Sequence, residues 1–271
     1  MIFVTDKGRM CNNILQYGRV YAWGREHGVK TVSIRFAYKY RFFHICHTRY
    51  HNILVYVLAK WAAKCRLIPV VDFHDIFPDT NAQERVMADS TFCLVKGWWV
   101  PWYDSFLKYK QEIVQLFAFD DMVRQPVDAK LSQLPAADLR LGVHIRRGDY
   151  RTWHDGKYYY TDEQYISCIR QFLTLHQGKK VNVFICGNDP KLDASLFCER
   201  LSDAHVLFPD GNPGEDLYLL SQCDYLIGAP STFTLVASMY RDLPLYWILD
   251  ADKPLENDSF GHFDDLFKHM L

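Results

Sequence analysis

Residues 139–150 read LRLGVHIRRGDY. A run of β-formers leads into a histidine and two adjacent arginines, then breaks at Gly148 with Asp149 beside it. In a parallel α/β sheet, strands end this way at the carboxyl edge, where ligands bind. Arginine, unlike lysine, offers a planar fork that grips a phosphate or carboxylate with two parallel bonds. The stretch therefore reads as an anion site, and a diphosphate is the expected anion. His144 and Arg146 are two apart and point to one face of the strand, while Arg147 points to the other. Arg146 is thus the expected ligand and Arg147 a brace of the scaffold, with Asp149 able to hold either guanidinium. The competing reading is a purely structural Arg–Asp pair at a strand end.

The rest of the second half supports a sheet around this strand. Thr161 is placed to cap a helix over 162–176, with Gln164 completing a capping box. Strands are expected at 181–186, 204–208, 224–228 and 244–249, separated by helices near 191–201, 215–222 and 232–240. Ser231, Thr232 and Phe233 stand at the mouth of that last helix. Hydroxyls there, with the backbone N–H groups and the positive end of the dipole, suit a phosphate, although serine at such a position more often only caps. Asp210, Glu215 and Asp216 could offer a carboxylate to a purine or ribose edge.

The first half opens β-α-β. A strand at 2–5 is followed by the loop DKGRMCNN (6–13), where Asn12 or Asn13 can cap a helix over 14–27 that stops at Gly28. A β-branched strand follows at 31–36. From His27 to Val71 there is no acidic residue, while basic side chains alternate with aromatics over 30–66. Such a stretch can rest on an anionic membrane surface or snorkel over an apolar core. Residues 72–83 read as loop, KGWWVPWYDS (96–105) as a cluster suited either to stacking on sugar rings or to the core, and 103–117 as helical. QLPAAD (133–138) is short and polar and reads as a linker, giving domains 1–135 and 136–271.

Composition sets the limits. The 271 residues carry a net charge of −1 and 23% charged side chains, so nothing global points to nucleic acid. The eight cysteines include no C-x-x-C pair and read as free thiols of a reducing compartment. No secretory signal precedes the first strand, and the longest apolar run, 53–63, is interrupted by Lys60. The expectation is a cytoplasmic protein, with peripheral contact at the inner face of the membrane through 30–66.

HIRRGDY (144–150) resembles the H-x-R-R-x-D signature of the GDP-fucose-dependent fucosyltransferases. EDLYLLSQCDYLIGAPSTF (215–233) is similar to a second conserved segment of that superfamily, in the form found in bacterial α-1,2-fucosyltransferases. GRMCNNILQ (8–16) resembles that family's N-terminal G-R-x-G-N-Q-x-x-Q loop. The resemblance implies two Rossmann-like domains facing across a cleft, the GT-B type, with GDP-fucose in the C-terminal half and an acceptor-side N-terminal half. It implies that Arg146 grips the diphosphate, with His144 near the donor, Arg147 supporting and Asp149 beside them. It implies that Asp216 selects guanine, that Ser231, Thr232 and Phe233 complete the pocket, and that Asn12 and Asn13 belong to the substrate site. Transfer would invert the anomeric centre, need no metal or cofactor, and deliver fucose to a hydroxyl, galactose O-2, of an oligosaccharide or lipid-linked glycan. Cys11 stands where the family has glycine, Asn13 where it has glutamine, and Thr234-Leu235-Val236 where it runs into tryptophans.

Two other readings stay open. Asp250-Ala251-Asp252 is a D-x-D, the metal-binding signature of the other large glycosyltransferase fold. A non-catalytic nucleotide-sugar or glycan-binding protein could carry the same motifs. Neither reading, nor the resemblance, supplies a confident base for the acceptor hydroxyl; Asp6 lies in the right loop.

Overall fold

The computed structural model describes residues 1–5, 7–187 and 189–270, which leaves Asp6 outside the described residues. The chain divides into two compact units, Met1–Met122 and Val123–Leu271. Each has its own parallel sheet.

The first unit contains β1 (Ile2–Val4), α1 (Met10–Glu26), β2 (Thr31–Ser33), α2 (Ile53–Lys64), β3 (Val70–Phe73), α3 (Asn81–Asp89), β4 (Cys93–Gly97), α4 (Tyr103–Lys108) and α5 (Lys110–Leu116). Its strands lie in the order β2-β1-β4-β3. The β-α-β opening is present, but α1 begins at Met10, before either asparagine, so neither caps it. Asn13 instead turns back into the loop: its amide donates to Lys7 O (2.9 Å) and Arg9 O (2.7 Å) and accepts from Lys7 N (2.8 Å). The stretch expected as loop at 72–83 holds the end of β3 and the start of α3. These strands are hard to read because β3 has four residues, one of them Asp72, and leaves Val70 44% exposed. The helix expected over 103–117 breaks at Tyr109, which ends α4 and begins α5. The tryptophan cluster serves the interior: Trp102 packs on Trp23 and Phe73, and Trp98 covers the guanidinium of Arg19.

The second unit takes in nearly all of α6 (Asp121–Ser132), followed by β5 (Leu139–Ile145), α7 (Asp162–Leu175), β6 (Val181–Gly187), α8 (Ala194–Arg200), β7 (His205–Leu207), α9 (Pro213–Ser221), β8 (Tyr225–Gly228), α10 (Thr232–Met239), β9 (Leu245–Trp247) and α11 (Phe263–Lys268). The polar segment 133–138 therefore follows the first helix of this unit and does not mark its boundary. The strand order is β7-β6-β5-β8-β9. From β5 the chain winds to one side through β6 and β7, then crosses to the other through β8 and β9. The carboxyl end of β5 is therefore at a topological switch point, where open α/β sheets bind ligands.

Both faces of β5 are covered, as a central parallel strand requires. Leu141, Val143 and Ile145 pack in one core with Tyr165, Ile169 and Phe172 of α7 and Phe197 of α8. Gly142 faces the other way, where a Cβ would come within 2.7 Å of Leu220 of α9 and of Leu226. That close approach seats α9 against the sheet. Helix α7 opens with the expected capping box, Thr161 Oγ1 accepting from Gln164 N and Gln164 Oε1 from Thr161 N. None of the eight cysteines forms a disulfide, and no described helix is long and apolar enough to cross a membrane.

Candidate active site

Alternation along β5 sorts the residues of HIRRGD. His144, opposite Gly228 of β8 and Cys186 of β6, is buried and stacks on Phe233 of α10 at 4.6 Å between centroids and 19° between planes. The strand ends at Ile145, and Arg146 follows on the α10 side. Its guanidinium lies 5.3 Å over the Tyr150 ring and donates to Asp149 Oδ2 at 2.9 Å. The Tyr150 hydroxyl in turn donates to Pro230 O, at the entrance to α10. Arg146 Nε is buried and has no hydrogen-bond partner among the described residues. A buried donor left open costs about 1–3 kcal/mol, which an incoming oxyanion would recover.

Arg147 goes to the α7 side and is fully engaged there. Nε donates to Tyr160 O (2.9 Å), one terminal nitrogen to Asp162 (2.5 Å) and the other to Asp189 (3.3 Å). Its side chain is 7% exposed. Burial disfavours the charge, but the two carboxylates more than offset it and hold the guanidinium above its ordinary range. Arg147 ties the end of β5 to α7 and to the segment after β6. Tyr160, Asp162 and Asp189, which form this clamp, carry no sequence signal that single-chain reading could use.

The helix-mouth residues lie beside the strand end, because β8 pairs with β5 and leads directly into α10. Ser231 is the N-cap of α10, its Oγ accepting from Thr234 N at 3.3 Å. Thr234 Oγ1 accepts from Trp247 Nε1 (3.1 Å), so this threonine anchors α10 to β9. Thr232 and Phe233 in the first turn are half-buried.

Asp216 sits in the first turn of α9, whose N-cap Asn212 accepts from Gly214 and Glu215 N–H groups. Its Oδ1 is buried without a hydrogen-bond partner among the described residues. Burial first, with Glu215 and Asp210 adding to it and Lys130 opposing, raises the Asp216 carboxyl from 3.8 to about 7. An acceptor oxygen enclosed in this way suits an N–H-rich edge such as that of guanine.

Asn12 and Asn13 belong to the first unit. Gly8 has φ +63°, the left-handed backbone that favours glycine, and a Cβ there would come within 2.7 Å of Asn12 Nδ2. Gln16, the last residue of the opening motif, is buried and donates to Gly97 O at 2.5 Å, with Oε1 unpartnered among the described residues. One turn on, Arg19 is wholly buried without an acid partner among the described residues. It donates to Leu15 O, Val100 O and Trp98 O, lies 4.9 Å over Tyr103, and burial draws it down to about 10.

The D-x-D aspartates are both exposed, and Asp250 Oδ1 accepts from Asp252 N at 3.1 Å, closing a turn. Among the described residues there is no group of three His, Cys, Asp or Glu side chains that could hold a metal ion.

Two parallel α/β sheets, one with adjacent arginines at the carboxyl end of its switch-point strand, give the chain a GT-B-like architecture. The chain belongs to glycosyl transferase family 11, whose profile matches residues 50–241. The motif resemblance to the fucosyltransferases is thereby borne out. The fold is similar to that of an Arabidopsis thaliana FUT1 mutant solved in complex with GDP, at 15% identity, covering 96% of this chain and 73% of that one with a TM-score of 0.65. It is similar to Bradyrhizobium NodZ, an α-1,6-fucosyltransferase soaked with GDP-fucose, at 14% identity, 96% and 97% coverage and a TM-score of 0.57. It is also similar to POFUT1 in complex with GDP-fucose, at 12% identity, 89% and 93% coverage and a TM-score of 0.54. No curated protein sequence matches the chain.

Proposed function

We propose that this fucosyltransferase moves L-fucose from GDP-fucose to a hydroxyl, galactose O-2, of a glycan acceptor, with inversion and without metal. The observation that carries the donor assignment is the strand end of β5. There Arg146, with its Nε open, lies over the Tyr150 ring, whose hydroxyl donates to Pro230 O at the entrance to α10, and His144 two residues before it stacks on Phe233 of that helix. The GDP and GDP-fucose complexes of similar folds support the same donor.

In the reaction the acceptor oxygen bonds to fucose C1 as the bond from C1 to the β-phosphate oxygen breaks. Negative charge builds on that leaving oxygen. Arg146 and the positive end of α10 stabilise it, each well-placed donor contributing roughly 3–4 kcal/mol in the transition state. Asp216 accepts from the guanine edge, and Arg147 keeps the end of β5 in place. The second unit holds the donor and the first the acceptor, with Asn12 as the ligand-side residue of the opening loop and Asn13 setting that loop's shape. The acceptor proton leaves to a general base.

Release of GDP from GDP-fucose in excess EDTA, with a panel of galactosides, tests this reading. Turnover with a new bond of the opposite anomeric configuration, read from its proton coupling, supports it. Activity that EDTA abolishes removes the metal-free mechanism, and no turnover with any GDP-sugar removes the donor assignment.

A further inference from the structure

Helix α2 is oriented in an unusual way for an α/β protein. It rests on the sheet through Tyr56, Ala59 and Ala63, against Phe3, Ile34 and Leu94, and Ala59 is its one buried residue. Its opposite face presents Ile53, Leu54, Val57, Leu58 and Trp61, each between 52% and 66% exposed. That spacing forms a single stripe along the helix. Isolated apolar residues on a surface are ordinary, but five in a row along one helix mark a docking surface.

The stripe continues past the end of the helix. Leu67 N donates to Ala62 O (2.9 Å) and Arg66 N to Ala63 O (3.1 Å), a Schellman ending that leaves Leu67 64% exposed. The left-handed position in this motif, at φ +58°, is the one glycine usually takes, and here it holds Arg66. Next to it is an open depression of about 640 Å³ lined by Lys64, Arg66, Leu67, Val70 and Lys96. Lys96 is paired with Asp72 at 2.8 Å; Lys64 and Arg66 are exposed. No acidic residue occurs between His27 and Val71.

We propose that this face docks on an anionic lipid bilayer, with the stripe at the boundary of headgroups and acyl chains and the basic depression receiving lipid phosphates. The charge distribution selects this occupant. A second copy of the chain paired through the same stripe would bring together two surfaces that each carry Lys60, Lys64 and Arg66, with no acidic residue on the helix or its flanks to pair them. A bilayer supplies apolar depth and negative charge together. The inference does not depend on the donor or acceptor assigned above.

Cosedimentation of the full chain with vesicles tests it, using phosphatidylcholine alone and phosphatidylcholine with about 30% phosphatidylglycerol. Binding to the anionic vesicles that weakens with added salt is expected, and Leu54→Ser/Leu58→Ser/Trp61→Ser should abolish it. Arg66→Gly is the sharper variant, because it removes a charge while giving the left-handed position its favoured residue. Its melting temperature should hold or rise while binding weakens roughly fivefold, and adding Lys64→Gln should weaken binding by a similar factor. The proposal is overturned if the wild-type chain stays in the supernatant with anionic vesicles, or if Arg66→Gly/Lys64→Gln binds as the wild type does. It is equally overturned if sedimentation equilibrium shows a dimer that the triple serine variant dissolves.

Discussion

The opening segment at 7–13, a loop running into α1, and the strand end at 144–150 each follow a strand of a parallel sheet, and each resembles a fucosyltransferase motif. Asn13 of the first and Arg146 of the second are in opposite states. In the opening loop the Asn13 amide is spent on the backbone of Lys7 and Arg9. In the same unit the buried His51 ring is engaged at both nitrogens, by Ser33 N (3.0 Å) and Thr48 Oγ1 (2.7 Å). At the strand end Arg147 is just as fully engaged, but Arg146 beside it keeps Nε open, as Asp216 keeps Oδ1. Motif resemblance marks both regions alike. At Asn13 and Arg147 the buried polar groups are spent on the fold, whereas Arg146 Nε and Asp216 Oδ1 are left open to a further partner.

The largest test of that separation sets the two arginines against each other. Arg147→Met should leave Asp162 and Asp189 without their partner and cost about 3–5 kcal/mol of stability, read as a fall in denaturant midpoint. Arg146→Lys should do the reverse, leaving the unfolding midpoint in place while slowing fucosyl transfer about 10²–10³-fold, because a point charge does not replace the fork. If Arg147→Met unfolds like the wild type, the clamp is not structural. Asn13→Ala should cost about 1–3 kcal/mol of stability by stranding the carbonyls of the loop. Calorimetry on that variant with unchanged melting would show that the loop holds its shape without the amide.

Asp216 supplies a pH signature. Its folded pKa, about 7, is above its ordinary 3.8. Between those values the folded protein keeps a proton that the unfolded chain has lost, so stability declines as pH rises through this window and levels off above it. Asp216→Asn should therefore be neutral near pH 4 and increasingly stabilising toward pH 7. It should also reduce discrimination for GDP over other nucleoside diphosphates by about tenfold. His51 has the opposite sign and a smaller expected effect. Burial holds it near 4, below its ordinary 6.5, so its contribution is present above 6.5 and is lost as pH falls through about 4. His51→Gln should flatten only that acid limb of a melting-temperature profile.

The second sheet is legible in the sequence because its signals are local. β5 and β6 are long β-rich runs, the capping box at Thr161 is complete, and Pro213 and Ser231 punctuate helix starts. Strand alternation is enough to send Arg146 and Arg147 to different sides. The first unit is legible only in its opening. β3 and β4 are short and carry Asp72 and Lys96, and α2 has an apolar face turned outward, so hydrophobic pattern there does not mark the core. Asn13 suggests a cap because its residue type favours one, and only the fold shows its amide bonded to carbonyls before the helix. The Arg147 clamp depends on Tyr160, Asp162 and Asp189, which are 13, 15 and 42 residues away in sequence. Nothing in a single chain announces that meeting.

Titration calorimetry of GDP against the wild-type chain and Arg146→Lys in EDTA tests most directly whether the Arg146 guanidinium, whose Nε is open, is the diphosphate ligand. The expected result is at least a roughly tenfold weaker Kd for the variant at an unchanged melting temperature. Equal affinity in two equally stable proteins would contradict it.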